Sequence, residues 1–326
     1  MARQKNRVSV IIPAYNAERT LDETLLSARS QSHRGLEIIV VDDGSVDSTV
    51  EIAQRHAAED PRVRVLQQGN AGVAAARNMG IAAATGEYIA PLDADDLWHP
   101  RKIEWQLEVF AREGPEVGVV YTWYALIDHR SRIERLRTLP IFQGDVLADL
   151  AHFNFIGNGS SPLIREHLFK ELTGYDTTLR ARGGEGCEDW KFYFELAERC
   201  HFGVIPAPLT GYRVHPENMS SNGLQMLKSR DLAISDLLLR HPDLSGEFRI
   251  GRNRLSGFLL HRALRRLRVR QAFALASSIA GHDLYFLFKT VGSLPVSVGR
   301  TAMGRLLRHY RNGGRPATFA EMCGSE

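Results

Sequence analysis

No stretch of this 326-residue chain stays apolar over the length that a membrane-spanning helix needs. An integral membrane protein is therefore not expected. Cysteine is scarce: Cys187, Cys200 and Cys323 are an odd number and lack metal-ligand spacing. They fit a reducing cytoplasm. The basic segment Met1–Arg7 leads into a strand pattern rather than the apolar core of a signal peptide, so a cytoplasmic location is expected. No glycine-rich loop follows that first strand. It ends in Pro13-Ala14-Tyr15-Asn16, which argues against an NAD-type site. No Walker-type loop, internal repeat or low-complexity tract occurs. Acidic residues nearly vanish from Arg249 to Arg315, where 14 Lys and Arg face the single acid Asp283. That stretch carries +13, so the rest of the chain carries −10 of the net +3.

What is present is ordinary for a globular protein: 44% apolar and 24% charged residues, enough for one large domain plus an appendage. The first half alternates in type. Strand patterns at Val8–Ile12, Glu37–Val41, Val63–Leu66 and Glu87–Leu92 are separated by helical patterns at Glu18–Ser30, Asp47–Ala58 and Gly72–Ala84. This order predicts an α/β fold with a Rossmann-like, mostly parallel sheet covered by helices. Ligands in such sheets sit beyond the carboxyl ends of the strands. A helix is expected over Pro100–Arg112, a strand over Val117–Tyr124 and a helix over Glu188–Arg199. Phe202–Leu209 reads as extended, followed by a loop carrying Tyr212, Arg213 and His215. From Leu224 onward only helical patterns occur, including Arg252–Arg270. Leu284–Val298 is apolar but broken by Lys289 and Pro295.

The densest chemistry is Asp93-Ala94-Asp95-Asp96, directly after an apolar strand. Carboxylates there do no packing work, and leaving them unpaired in an apolar interior is costly. A hard divalent cation, Mn²⁺ or Mg²⁺, answers that problem and bridges to phosphates. A helix N-cap is the competing reading. Asp42-Asp43-Gly44-Ser45 ends another strand on the same side, as a ligand site or as a turn into a helix. Arg77 lies in the first turns of an alanine-rich helix, within reach of a diphosphate or simply on the surface. Glu188-Asp189 opens a helix after a glycine-rich loop, as a cap or a general base. Tyr212-Arg213-Val214-His215 combines a cation with a metal-capable or structural histidine.

Together, Val8–Asn16, Val40–Thr49, Ala76-Arg77-Asn78 and Asp93–Asp96, extended by Glu188-Asp189 and Tyr212–His215, resemble the inverting family 2 glycosyltransferases of the GT-A fold. The likeness covers about residues 1–222. It implies a catalytic domain with a nucleotide-sugar half up to about residue 115 and an acceptor half over 116–222. The basic helical region 223–326 lies outside it. The resemblance implies that Pro13, Tyr15, Asp43, Arg77 and Asp93 hold a nucleoside-diphosphate sugar, with UDP the family's commonest nucleotide. It assigns Asp95 and His215 to a divalent metal and Asp189 to the catalytic base. The implied partners are the sugar donor and a glycan or lipid-linked acceptor of cell-surface polysaccharide or glycolipid synthesis.

The basic tail suits an anionic membrane surface at the inner face, or packing on the catalytic domain or a homodimer partner. Its arginines lack interleaved aromatics, so nucleic acid is not an expected partner. Two alternatives stay open on the residues alone. One is a nucleotidyltransferase, which usually carries a glycine-rich basic loop where Pro13–Asn16 stands. The other is a non-catalytic sugar-nucleotide-binding protein.

Overall fold

The computed structural model describes residues 4–137, 140–215, 222–265, 267–292 and 317–324. The chain opens with β1 (Gln4–Ala14), α1 (Leu21–Arg29), β2 (Leu36–Asp42), α2 (Thr49–Glu59), β3 (Val63–Gln67), α3 (Val73–Ala83) and β4 (Gly86–Pro91). These follow the expected order. Then come β5 (Leu97–Trp98), α4 (Lys102–Glu113), β6 (Val117–Ile127), β7 (Ile133–Arg137), α5 (Leu147–His152) and β8 (Leu163–Arg165). After α6 (His167–Leu172), α7 (Thr178–Ala181) and α8 (Glu188–Ala197), the chain forms β9 (His201–Arg213).

One sheet joins these strands in the order β3-β2-β1-β4-β8-β6-β9-β5, with β7 beside β6. β3, β2, β1 and β4 are mutually parallel, and β6 is parallel to β9. Short β8 is antiparallel to both β4 and β6, so β6 and β9 point the same way as β1 and β4. The carboxyl ends of six strands thus share one edge. Chain connection switches sides between β1 and β4, which opens a crevice at that edge.

Alternation within the strands builds the core. Val8, Val10 and Ile12 of β1 pack on one side with Ile38 and Val40 of β2, under α1, α2 and α4. Ile11, Ile39 and Val41 point to the other side, where α3 and α8 cover them. Both faces are apolar because both carry helices. α3 packs very close: a Cβ on Gly80 would stand 2.6 Å from Ile11 Cγ2, so only glycine fits there.

Two expectations need correction. Tyr212 and Arg213 are not in a loop: β9 runs through them, paired to Leu126 and Ile127 of β6. The helix expected over Arg252–Arg270 is two helices, α10 (Ser245–Arg265) and α11 (Val269–Ala280), parted at Leu267, whose φ is +54°. α9 (Gly223–Arg240) and α10 bury Ala233, Ile234, Leu237 and Phe248 in the same core as α8. α12 (Leu284–Gly292) covers the start of the expected apolar run Leu284–Val298. The rest of that run, and the basic residues from Arg300 to Arg315, lie outside the described residues. A last short helix, α13 (Phe319–Cys323), follows an isolated bridge from Thr318 to Arg132. Among the described residues, no helix is long and apolar enough to cross a membrane.

Candidate active site

The crevice edge gathers the residues singled out above. β1 delivers Pro13, buried, and then Tyr15, which is exposed. The turn after it is tied down: Asn16 N donates to Ser45 Oγ at 2.9 Å, and Val46 N donates to Asn16 Oδ1 at 3.0 Å. Asp43, just past β2, is buried and braces the next loop. Its Oδ1 accepts from Gln68 Nε2 (2.7 Å) and Ala71 N (2.8 Å), and its Oδ2 accepts from Gly72 N (2.8 Å). A carboxylate has about four acceptor positions, so one of them is left for a ligand donor.

Arg77 is not on the surface. It is 3% exposed and lies between two carboxylates. Its Nη2 donates to Asp93 Oδ1 at 2.5 Å and its Nη1 to Glu188 Oε1 at 2.8 Å. Its Cζ lies 5.2 Å from the centre of the Tyr175 ring. Burial works against the cation, but Asp93 and Glu188 outweigh it and hold the guanidinium firmly charged. Asp93 is pushed up by burial, against the pull of Arg77 and with a further push from Asp95. A Cβ on Gly159 would stand 2.7 Å from Arg77 Nη2 and 2.9 Å from Asp93 Oδ2, so glycine lets this loop close over the pair.

Glu188 and Asp189 open α8. Glu188 Oε2 also accepts from Gly186 N at 3.1 Å. Asp189 Oδ1 accepts from its neighbour Trp190 N at 2.6 Å. Burial, then the adjacent Glu188 charge, raises the Asp189 carboxyl to about 7, although Arg77 pulls it down. A carboxylate poised near neutrality suits proton abstraction at working pH.

The acidic cluster divides. Asp95 Oδ2 lies 3.1 Å from His215 Nε2, and both side chains are partly exposed. Asp96 is fully buried and structural: it accepts from Ser160 Oγ (2.6 Å) and Arg213 N (2.9 Å). Burial, then Asp95 and Asp93, drives its carboxyl well up. Arg213 is buried too, donating from Nε to Asp95 O at 2.6 Å and from Nη2 to Glu23 Oε2 at 2.8 Å. Among the described residues no group of three or more His, Cys, Asp and Glu is arranged to hold a metal. Asp95 and His215 therefore offer two ligands. That donor set fits Mn²⁺ or Mg²⁺ only if phosphate oxygens and water complete the shell, which is how such ions commonly bind substrates.

Sequence reasoning gave no role to Ser160 or Tyr175, and it named Asn78 and Glu188 within their motifs without the partners that they hold. Ser160 accepts from Asp93 N (3.0 Å) while donating to Asp96. Asn78 clasps the Tyr175 backbone, donating to its O at 2.7 Å and accepting from its N at 2.8 Å. Ser160→Ala leaves a buried donor and acceptor without partners. It is expected to lower unfolding free energy by about 1–3 kcal/mol, read by chemical denaturation.

Residues 9–173 match the family model "Glycosyl transferase family 2". The chain belongs to this family. It is 34% identical over 221 residues to an uncharacterized glycosyltransferase of Rickettsia felis, covering 66% of this chain and 34% of that protein. It is 31% identical over 231 residues to the chondroitin synthase of Escherichia coli, covering 70% of this chain and 32% of that protein. The chain thus spans about a third of the length of these curated relatives. The fold is shared with S. aureus TarS 1-349 in complex with UDP-GlcNAc, at a TM-score of 0.62 and 17% identity over 94% of this chain and 92% of that one. It is also shared with the mannosyltransferase PcManGT of Pyrobaculum calidifontis in complex with GDP-Man and Mn²⁺, at a TM-score of 0.59 and 20% identity. That match covers 94% of this chain and 81% of that one. The chain therefore has the GT-A fold.

Proposed function

We propose that this glycosyltransferase moves a sugar from a nucleoside diphosphate, UDP by preference, to an acceptor hydroxyl with inversion at the anomeric carbon. The observation that carries the reading is the buried Arg77 bridge. It joins Asp93, on the nucleotide side, to the Glu188-Asp189 corner, on the acceptor side, with Glu188 lying 111 residues beyond Arg77 in sequence. A donor sugar lying over Asp93 would meet Asp189 from the direction an acceptor approaches.

Each residue then has a task. Pro13, Tyr15 and the open acceptor position of Asp43 receive the nucleoside. Asp93, its carboxylate fixed by Arg77, orients the ribose and sugar hydroxyls. Asp189 takes the acceptor proton as the new bond forms. A single base acting in one direct displacement gives inversion, and no second carboxylate is needed as a covalent nucleophile. Asp95 with His215 would hold the divalent metal, which when bound supplies positive charge to the departing diphosphate. Arg77 supports that charge through its neighbours, since its Nη1 and Nη2 donate to Glu188 and Asp93.

The division into a catalytic domain to residue 222 and a basic helical region beyond it belongs to the same proposal. Exposed Leu267, Val269, Phe273 and Tyr285 among arginines support contact of that region with an anionic membrane face from the cytoplasmic side. A lipid-linked acceptor of surface-polysaccharide synthesis would suit such a placement.

A thermal-shift screen of nucleoside-diphosphate sugars tests the donor and metal assignments. A UDP-sugar with Mn²⁺ is expected to raise Tm by several degrees, since saturating ligand at about 100 Kd adds about 2.7 kcal/mol to the native state. The gain should shrink without metal and vanish in Asp95→Ala. An equal shift with and without Mn²⁺ would remove the metal from the reading.

A further inference from the structure

The short C-terminal segment 317–324 returns to the strands that carry the Asp95 edge of the site. Ile133 N donates to Ala317 O at 2.8 Å, and Phe319 N donates to Ser131 O at 2.8 Å. Thr318 starts α13 with a reciprocal cap to Glu321. Phe319 is 2% exposed and fills a small apolar cluster with Leu97, Ala125 and Ile127. This cluster is separate from the two that flank the main sheet.

The position of that ring is what matters. Leu97 in β5 pairs with Gly211 in β9. Leu97 follows Asp95 by two residues, and Gly211 precedes Arg213 by two. A Cβ on Gly211 would lie 3.1 Å from the Phe319 ring, so the ring rests directly on the β9 backbone. A second line runs through polar atoms. Ser131, whose carbonyl takes the Phe319 N–H, accepts from Arg213 Nη1 at 3.2 Å and donates from Oγ to Glu23 Oε1 at 2.6 Å. Arg213 in turn donates to Asp95 O at 2.6 Å. Ser131 has a φ of +58°, a conformation that a non-glycine residue keeps only when its surroundings hold it. Both lines begin at Phe319 and end beside Asp95 and His215.

We propose that Phe319 is a positioning residue: seated under β5 and β9, it fixes the Asp95–His215 pair for transfer. The catalytic part of this statement rests on the transferase reading above. The C-terminal segment is then a working part of the site, although about a hundred residues separate it from His215 in the chain.

The test uses full-length Phe319→Ala with two readouts. Hydrogen exchange of the ligand-free protein should quicken at 94–98, 128–133 and 209–215 and stay unchanged in β1 to β4. Transfer should lose about tenfold or more in kcat while donor KM stays within about twofold, the scale expected when reacting groups are misplaced by about an ångström. Phe319→Leu, which keeps an apolar filler, should recover most of both. Exchange that quickens evenly through the sheet would mean mere stability and overturn the proposal. So would localised quickening with wild-type kcat. If Phe319→Ala does not fold, Gly211→Ala, which pushes the ring from the opposite side, must give the same localised pattern or the proposal fails. Exchange needs no substrate, so a wild-type protein that transfers no sugar would sink the transferase reading while the exchange result still judged the brace.

Discussion

Replacing Asp189 by Asn is expected to lower kcat by about 10²–10⁴-fold, the usual contribution of a general base, with donor affinity nearly unchanged. The amide keeps the shape and cannot take the acceptor proton. Because the Asp189 carboxyl is raised to about 7, wild-type kcat/KM should fall tenfold per pH unit below that value and level off above it. The stability sign runs the other way. A carboxyl whose folded pKa lies above its unfolded value stabilises the fold at low pH, and that contribution is lost as pH rises toward 7. Asp189→Asn should therefore raise Tm at pH 8 and leave it nearly unchanged at pH 3. An enzyme whose function needs a strained carboxylate gains stability when that group is neutralised. Near-normal turnover by Asp189→Asn, or a flat rate profile between pH 5 and 8, would take Asp189 out of its role.

Arg77→Met should be the most damaging change to stability in the site. Methionine restores volume but leaves Asp93 and Glu188 facing each other without the cation between them. Breaking a buried pair by removing one partner costs about 3–5 kcal/mol. The loss should be largest at neutral pH and ease as pH falls, because protonating the two carboxyls removes the uncompensated charge. Arg77→Lys should not rescue it, since one ammonium cannot reproduce the fork that reaches both carboxylates. Urea denaturation at pH 5 and pH 8 reads both effects. Equal destabilisation at the two pH values would show that packing, not charge, is what Arg77 supplies.

Much of this site was legible in the chain. Asp43, Asp93 and Asp95 follow apolar strands, and a strand that is buried on both faces announces its own carboxyl end. Arg77 was harder. Its helix is rich in alanine and looks solvent-facing from its own sequence. It is buried by partners far along the chain: Glu188, 111 residues later, pairs with it, and Tyr175 and the Gly159 loop pack against it. β9 was half hidden for a local reason: Pro206, Pro208 and Gly211 interrupt its pattern, and its pairing with β6 shifts register around Trp123. Three-residue β8 is too short for any periodicity to show, yet it separates β4 from β6 and sets how the two halves of the sheet meet. Ser160 and Gly159 lie in a loop that composition marks only as a loop. Their function comes from where β8 places them, against Asp93, Asp96 and Arg77.

The most direct measurement is a crystal structure of the Asp189→Asn protein with a UDP-sugar and Mn²⁺, using the anomalous signal of manganese to locate the ion. The predicted result is manganese bound by Asp95 and the diphosphate, the sugar lying over Asp93, and residue 189 facing the anomeric carbon from the side opposite the diphosphate. A nucleotide bound away from Asp43 and Asp93, or manganese with no contact to Asp95, would contradict the account.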